Sequence, residues 1–348
     1  MRSSIVALTC NPSPRSLPTD FMPQRLAIVT PVLDDWPSFG ELARRIALLF
    51  PADGAVTIDI FAVDDGSSDP GPRSDPVAPG LGCIGTIEIL HLALNLGHQR
   101  AIAIGLVEIA ERAVHDAVIV MDSDGEDRPE DITALLQAAR EQPGRIVVAR
   151  RAQRSEALPF QLGYAAYKLL FRALTGRRIG FGNFCLIPLA AAQRLVHMPE
   201  SWNHLAATIM RSRIGSVEVP TRRGIRYDGR SHMSLTGLVL HGLSAISVYI
   251  DVIFVRVLMV AGSLAGLSIL GMFGVLATRF LTPLAIPGWA TTAIGALFGI
   301  LMQTVILVVV MTLVVLSSRS NSPIVPIMDC RKYIRARRSV ALEPASGS

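Results

Sequence analysis

Four carboxylates lie within the six residues Asp122–Asp127, directly after the apolar run Ala117–Met121. Such a run predicts a buried strand, and open α/β sheets bind ligands at the carboxyl ends of their strands. Carboxylates this close together repel one another, so a folded protein usually keeps them together in order to hold a cation. Hard oxygen ligands suit Mg²⁺ or Mn²⁺, and either ion can bridge the phosphates of a substrate. The alternative, on spacing alone, is a solvated acidic turn.

A second acidic segment, Asp64–Asp69, follows a second strand-like run, Val56–Val63. Parallel strands of one sheet end at the same edge, so the two segments are expected to lie near each other. Two acidic segments in this position favour a binding site over unrelated surface turns.

The elements that must position these segments alternate between strands and helices from Arg25 to about Arg150. The predicted strands are Leu26–Val32, Val56–Val63, Ile87–Leu92, Ala117–Met121 and Ile146–Ala149. The predicted helices are Phe39–Phe50, Gln99–Ala113 and Glu130–Glu141. This alternation predicts an α/β fold with a mainly parallel sheet covered on both faces. The Pro- and Gly-rich stretch Pro70–Gly85 is predicted to be a loop.

The carboxyl-terminal third predicts a transmembrane hairpin. Val257–Thr278 and Phe280–Ser318 contain no charged residue, and the mean hydropathy of the whole chain is +0.43. About 20 apolar residues are enough for a helix to cross the hydrocarbon core. Pro283, Pro287 and Gly288 interrupt the second stretch, so the helices are placed at about 254–278 and 289–316.

Basic residues predict the orientation of this hairpin. Only Arg279 lies near its loop, whereas Arg256 precedes it and six basic residues follow it. The residues that follow are Arg319, Arg331, Lys332, Arg335, Arg337 and Arg338. The positive-inside rule therefore places the large domain and the tail in the cytoplasm, at the inner membrane of the cell. The net charge of +5 fits contact with anionic membrane lipid. Nucleic-acid binding is not expected, because no basic stripe is interleaved with aromatic residues.

The chain is divided into five parts by these patterns. They are a leader predicted to be disordered (1–24), an α/β domain (25–232), a juxtamembrane amphipathic helix (233–250), the transmembrane hairpin (251–318) and a basic cytoplasmic tail (319–348). A further helical stretch, Leu158–Leu174, is interpreted as core packing in preference to an interfacial helix. The four cysteines form no CxxC pair, which argues against a zinc site or a disulfide framework.

Both predicted membrane helices contain glycine pairs that are relevant to helix packing and to oligomer formation. Gly262 and Gly266, and likewise Gly295 and Gly299, are GxxxG pairs. This spacing is typical of close helix packing, either between the two helices of one chain or between copies in a homo-oligomer.

The order of motifs resembles the family 2 glycosyltransferases of the GT-A fold. The motifs are Pro31-Val32, Asp64–Asp69, Asn95-Leu96-Gly97 and Asp122-Ser123-Asp124. Residues 122–130 are similar to the pattern DADLQ-x-PPE of polyprenyl-phosphate sugar transferases. That type includes dolichyl-phosphate mannose synthase and the bacterial undecaprenyl-phosphate glucosyltransferases with two C-terminal transmembrane helices. The resemblance runs from about Arg25 to Leu316.

The resemblance implies a UDP- or GDP-sugar donor and Mg²⁺ or Mn²⁺ as cofactor. Asp122 and Asp124 are implied as catalytic metal ligands, with Glu126 as a third ligand where the pattern has glutamine. Seven positions are implied in donor binding: Pro31, Val32, Asp64, Asp65, Asn95, Gly97 and Ser123. The metal would neutralise charge on the departing nucleoside diphosphate.

A basic stretch just before the membrane, Arg222–His232, is called here the arginine segment. It resembles the family's R-x-x-R-x-x-G-x-S-K sequence, with His232 in place of lysine. The implied acceptor-phosphate residues are Arg223, Arg226, Arg230, Ser231 and His232, together with Arg151 and Arg154; Arg226 and Arg230 are also predicted to be catalytic. Arginine suits bidentate phosphate binding. A basic patch that contacts anionic lipid remains the alternative.

Asn183 replaces an acidic residue of the family, and this difference affects which class of acceptor is expected. It stands where the family commonly has the acid of GDFRL, and asparagine cannot act as a general base. A sugar hydroxyl needs a base, whereas a lipid phosphate is largely dianionic at neutral pH and attacks without one. The sequence therefore favours a phosphate acceptor. Glu200 is a spare carboxylate that keeps a hydroxyl acceptor open.

These inferences together predict an inverting enzyme that moves one sugar from a nucleotide-sugar to polyprenyl phosphate at the membrane. Three rivals stand beside it: a glycosyltransferase acting on a lipid or glycan hydroxyl, a non-catalytic scaffold, and a channel. Two helices without an intramembrane charge make a poor transport pathway.

Overall fold

The computed structural model describes residues 24–50, 56–69, 71, 83–151, 158–177, 180–228, 235–282, 288–320 and 322–340. The predicted leader and most of the predicted loop Pro70–Gly85 lie outside these residues. Among the sites predicted from sequence, Arg154, Arg230, Ser231 and His232 also lie outside them.

One eight-stranded sheet organises the described part of the chain. Its strands are β1 (Arg25–Val32), β2 (Thr57–Asp64), β3 (Ile84–Leu92), β4 (Ala117–Val120), β5 (Ile146–Arg151), β6 (Cys185–Pro188), β7 (Ser216–Thr221) and β8 (Ile334–Val340). Their order is β7-β5-β6-β4-β1-β2-β3-β8. The four neighbours β4, β1, β2 and β3 run parallel, while β6 and β8 run antiparallel to the strands beside them. The predicted α/β class with a mainly parallel sheet is confirmed.

Helices cover the sheet and flank the membrane-directed part of the chain. They are α1 (Trp36–Leu49), α2 (His98–Arg112), α3 (Ile132–Glu141), α4 (Leu158–Thr175), α5 (Leu189–Leu195), α6 (Leu205–Arg211), α7 (Leu235–Ser247), α8 (Ile250–Leu281), α9 (Trp289–Ser320) and α10 (Pro326–Asp329). Helices α1 and α3 pack on one face of the sheet, and α2 and α5 on the other. Because both faces are covered, β2 and β4 are buried almost throughout. Burial of a single large side chain such as Phe39 or Phe61 contributes about 1.5–3 kcal/mol.

The two long helices α8 and α9 are each long and apolar enough to cross a membrane, with mean hydropathies of 2.1 and 2.7. Only 17% and 6% of their most apolar stretches are buried, as expected of helices that contact lipid. Helix α8 begins at Ile250, earlier than the predicted start near residue 254.

The paired glycines of these helices do not hold the hairpin together. A Cβ atom added at any of the four would meet no described atom within 4 Å; the four are Gly262, Gly266, Gly295 and Gly299. The close approach is at Gly271 instead, where a Cβ would lie 3.1 Å from the side chain of Leu297. Of the two uses expected for the GxxxG pairs, packing between helices of one chain is therefore wrong.

The segment after the hairpin returns to the eight-stranded sheet. Strand β8 pairs antiparallel with β3, and the Tyr333 ring lies 5.3 Å from that of Trp202. Ion pairs from Arg337 to Glu108 (2.9 Å) and from Arg331 to Glu111 (3.0 Å) tie it to α2. The part of the expected basic tail at residues 334–340 is thus a strand of the domain, and the hairpin is inserted between β7 and β8 of one sheet.

A small hydrophobic core, separate from the cores on the two faces of the sheet, joins the sheet domain to the hairpin. Phe171 of α4 is fully buried against Tyr249, with ring centroids 5.9 Å apart. Arg211 at the end of α6 contacts Asp251 at the start of α8 (2.8 Å), and Arg256 donates to the carbonyl of Ala173 (2.7 Å). Helix α4 thus contributes Phe171 to this core, whereas its Leu169 and Leu170 are exposed, so the interpretation as core packing holds for only part of the described helix.

Candidate active site

The predicted donor-binding segments meet at one edge of the sheet. Because β4, β1, β2 and β3 are adjacent and parallel, their carboxyl ends lie side by side. The segments that leave them carry Pro31 and Val32, Asp64 and Asp65, Asn95 and Gly97, and the acidic loop Asp122–Asp127. Ser123 Oγ donates to the carbonyl of Pro31 (3.3 Å), which ties the loop after β4 to the end of β1.

Asp64 and Asp65 hold the neighbouring loops in place. The two carboxylate oxygens of Asp65 accept the backbone N–H groups of Leu96 (2.7 Å) and Gly97 (2.9 Å). Asp64 accepts the N–H of Ser67 and lies 2.7 Å from His91 Nδ1. These bonds fix the start of α2 beside the end of β2. Contact of either aspartate with a nucleotide stays a prediction.

The acidic loop keeps its carboxylates close in spite of their repulsion. Asp127 accepts the N–H of Asp122 (3.0 Å), and Asp124 accepts the N–H of Glu126 (2.9 Å). Burial and the charge of Asp122 raise the pKa of both Asp124 and Asp127 above the usual range. A raised carboxylate pKa means that the ionised form is disfavoured in the folded protein. A bound cation would stabilise the ionised form and so lower this free-energy penalty.

The described part of the arginine segment, residues 222–228, lies directly on the acidic loop. Backbone N–H groups of Gly224 and Tyr227 donate to the carbonyls of Glu126 and Asp124, both at 2.9 Å. A Cβ at Gly224 would collide with the carbonyl oxygen of Gly125, so only glycine permits this approach. The structure therefore brings the start of the arginine segment to the predicted metal residues.

Three arginines contact the carboxylates of this loop. Arg226 pairs with Asp124 and lies 3.3 Å from Glu126. Arg223 lies 2.7 Å from Glu126, and Arg151 lies 3.3 Å from Glu126 and 3.1 Å from Asp127. Arginines at this position can contact the phosphates of any ligand that the loop binds.

A hydrogen-bond chain that the sequence did not predict ends beside Asp122. Gln99 Oε1 accepts the N–H of Leu205 (2.8 Å), so its Nε2 donates to Asn183 Oδ1 (3.1 Å). The amide nitrogen of Asn183 then faces His98 Nε2 at 3.1 Å. The sequence signal was the His-Gln pair that follows Gly97, but only the fold shows that Asn183 meets it.

The acidic loop fits a divalent cation through two carboxylates. Asp122 Oδ1 is buried and accepts no hydrogen bond from the described residues, although His98 Nε2 lies 3.2 Å away. Among the described residues, no three His, Cys, Asp or Glu side chains converge closely enough to hold a metal ion by themselves. Mg²⁺ typically uses one or two carboxylates and takes its other ligands from water and substrate phosphates. Asp122 and Asp124 match that donor set.

The remaining predicted residues have structural partners. Arg150, the neighbour of Arg151, pairs with Glu218 in an exposed ion pair (2.9 Å). Glu200, the spare carboxylate of the hydroxyl alternative, lies 3.0 Å from Arg211, the residue that also binds the start of α8. Glu200 thus takes part in the junction between the domain and the hairpin.

Comparison with known proteins identifies relatives of this chain. Residues 28–194 match the family Glycosyl transferase family 2. The undecaprenyl-phosphate 4-deoxy-4-formamido-L-arabinose transferases of Salmonella paratyphi B and Salmonella newport are each 26% identical over 286 residues, which cover 80% of this chain and 83% of theirs. A solved structure of glucosyl-3-phosphoglycerate synthase from Mycobacterium tuberculosis, with Mn²⁺, UDP-glucose and phosphoglyceric acid, aligns with a TM-score of 0.45 at 15% identity, over 66% of this chain and 80% of that one. The family match spans β1 to β6 and so includes the acidic loop.

Proposed function

We propose that this chain, a glycosyltransferase whose residues 28–194 form a glycosyl transferase family 2 domain, transfers one sugar from a nucleotide-diphosphate-sugar to a polyprenyl phosphate. The relatives from Salmonella, whose names describe transfer to undecaprenyl phosphate, support the acceptor class. The observation that carries the proposal is the contact of Arg223 and Arg226 with the acidic loop, a short distance along the chain from a helix that can enter the membrane.

In this proposal Asp122 and Asp124 would hold Mg²⁺ or Mn²⁺. When bound, the ion neutralises negative charge on the leaving nucleoside diphosphate. Arg223 and Arg226 contribute further positive charge beside that group, and guanidinium groups bind phosphate oxygens in pairs. The closeness of the Asp122, Asp124 and Asp127 carboxylates, which raises the pKa of the last two, supports the metal role more directly than sequence spacing does.

The acceptor phosphate would attack the anomeric carbon in a single displacement. A new C–O bond forms as the bond to the nucleoside diphosphate breaks, so the anomeric configuration inverts. Asn183 lies at the edge of this site and cannot remove a proton, which suits an acceptor that is already an anion. Glu200 is engaged by Arg211, and this pairing weighs against a hydroxyl acceptor activated by Glu200.

The fold also supports a membrane topology. Since β7 and β8 belong to one sheet, it favours both ends of the hairpin lying on the same side of a membrane that α8 and α9 would cross. The excess of basic residues outside the hairpin loop supports the cytoplasm as that side. Anchoring the site at the lipid surface raises the effective concentration of a polyprenyl phosphate.

The test uses the purified full chain in detergent with Mg²⁺ or Mn²⁺, radiolabelled UDP- and GDP-sugars and undecaprenyl phosphate. We expect label to enter an acid-labile lipid and the Asp124→Asn variant to lose that transfer. A lipid product that resists mild acid would mean a glycoside, and therefore a hydroxyl acceptor. Failure of every donor to bind in a metal-dependent way would replace the enzyme hypothesis with a scaffold.

A further inference from the structure

Glu126 is the one residue of the acidic loop that contacts three arginines. We infer that Glu126 is a positioning residue, which keeps Arg223 and Arg226 over the acidic loop when a cation binds Asp124, and that it is not itself a ligand of the cation. The inference rests on the proposed function, because it assigns these arginines to the phosphates of that reaction. It also replaces the metal role that the sequence predicted for Glu126.

The contacts of Glu126 use both of its carboxylate oxygens. Oε1 accepts from Arg223 (2.7 Å) and from Arg226 Nε (3.3 Å), while Oε2 accepts from Arg151 (3.3 Å). The side chain is only 15% exposed, so water does not replace these partners easily.

A cation would meet a different environment at Glu126 than at Asp122. The buried Oδ1 of Asp122 lies 3.2 Å from His98 Nε2, whereas three guanidinium groups contact the oxygens of Glu126. A metal ion at Glu126 would have to displace three arginines and stand next to their positive charge, whereas at Asp124 it would displace Arg226. The cation is therefore expected at Asp122 and Asp124.

Arg226 connects the two carboxylates. In the structure it contacts both Asp124 and Glu126. When a cation binds Asp124, Arg226 is repelled from that carboxylate and keeps Glu126 as its partner. The backbone bond from Gly224 to Glu126 holds the arginine segment in the same register (2.9 Å). Arg226 then has N–H groups available for phosphate oxygens beside the cation.

Glu126 gives these arginines a charged partner that glutamine would not supply. A glutamine side chain has one acceptor oxygen and no charge, so it would neutralise Arg151, Arg223 and Arg226 less than Glu126 does. The family pattern combines that glutamine with the two arginines to which Arg223 and Arg226 correspond. Glu126 therefore adds a charged partner to arginines that the pattern already contains.

The test compares Glu126→Gln with Glu130→Gln, a matched loss of one carboxylate from an exposed pair with Arg128. Mn²⁺ binding to the metal-dependent site is titrated by electron paramagnetic resonance without any substrate. The KM values for the nucleotide-sugar and for undecaprenyl phosphate are measured separately. We expect Glu126→Gln to change the Mn²⁺ dissociation constant less than about twofold and to raise at least one KM about tenfold or more. The substrate whose KM rises is the one whose phosphate the arginines bind.

Weaker Mn²⁺ binding by tenfold or more in Glu126→Gln would make Glu126 a metal ligand and overturn the inference. Unchanged Mn²⁺ binding with unchanged KM values would overturn it as well. If Glu126→Gln does not fold, Arg223→Gln serves instead, and the inference predicts the same pattern of raised KM with intact Mn²⁺ binding. Absence of lipid transfer by the wild-type chain would refute the proposed function, while binding of UDP or GDP to both variants would still test the role of Glu126.

Discussion

The sheet carries aspartates at both ends, and the two groups have opposite environments. At the amino ends of the strands, Asp59 accepts from His115 (2.8 Å), Arg25 (3.0 Å) and Thr86 (2.8 Å). At the carboxyl ends, the buried Oδ1 of Asp122 lies 3.2 Å from His98 Nε2, and the charge of Asp122 raises the pKa of Asp124 and Asp127. Three donors thus neutralise Asp59 at the amino end, whereas the carboxylates at the carboxyl end repel one another and favour a bound cation.

The pKa values express the same contrast. Burial opposes ionisation of Asp59, but its hydrogen bonds to His115, Thr86 and Arg25 lower the pKa to about 2. Burial and mutual repulsion raise the pKa of Asp124. Ionised Asp59 therefore stabilises the fold, whereas ionised Asp124 destabilises it until a cation binds. One residue type has two roles because the supply of donors differs.

The largest effect on sugar transfer is expected when an aspartate at the carboxyl ends of the strands is neutralised. Asp122→Asn should lower the rate of sugar transfer by a factor of about 10² or more, because a metal ligand on the leaving-group side is lost. Its melting temperature should change little, because the contact with His98 (3.2 Å) is weakened while the repulsion that raises the pKa of Asp124 and Asp127 is relieved. Transfer assays and thermal unfolding in the same detergent measure both quantities. A folded variant with wild-type transfer would exclude Asp122 from the metal site.

At the amino ends of the strands, neutralising an aspartate is expected to reduce stability and to leave sugar transfer unchanged. Asp59→Asn should lower the free energy of unfolding by about 3 kcal/mol, because it leaves the buried His115 and the half-exposed Arg25 without their charged acceptor. Transfer per folded molecule should be unchanged. Denaturant unfolding gives the first quantity, and activity normalised to folded protein gives the second. Glu141→Gln, on the exposed end of α3, is the control that should change neither.

Asp59 and Asp124 should change the stability of the fold in opposite directions as the pH falls. Asp59 has a folded pKa of about 2 against an ordinary value of 3.8, so its stabilisation is present above pH 4 and is lost as the pH falls towards 2. This amounts to about 2 kcal/mol. Asp124 has a raised pKa, so its contribution falls as the pH rises above the ordinary value. Melting curves of the wild type and Asp59→Asn should converge between pH 4 and pH 2; parallel curves would contradict the role of Asp59.

The smallest effect is expected where a paired carboxylate lies near the surface. Arg337→Gln removes one partner of Glu108, which keeps Arg112 as its other partner. Half-exposed ion pairs contribute about 0.2–1 kcal/mol. We expect faster hydrogen exchange in β3 and β8 with little change in the melting temperature. If Arg337→Gln lost as much free energy of unfolding as Asp59→Asn, solvent exposure would not explain the different strengths of these ion pairs.

Much of this architecture follows from local sequence patterns. The apolar runs that became β1 to β5 are visible because strands buried on both faces are continuously apolar. Strand β6 has only four residues and runs antiparallel, so the sequence around Asn183 was noticed for a motif and not for a strand. Strand β8 is basic and mostly exposed at the sheet edge, and such a pattern resembles a solvated tail.

The sequence alone determined the fold class, the two long apolar helices and the position of the acidic loop, because periodicity, length and strand-end position are local properties. Tertiary structure alone decided the partners of the charges. Arg226 reaches Asp124 across about a hundred residues, and Asn183 reaches His98 across 85. Such pairings depend on which loops the sheet order brings together, and sequence spacing does not encode that order. The sequence thus located the carboxylates, and the fold determined which of them are neutralised and which remain for a ligand.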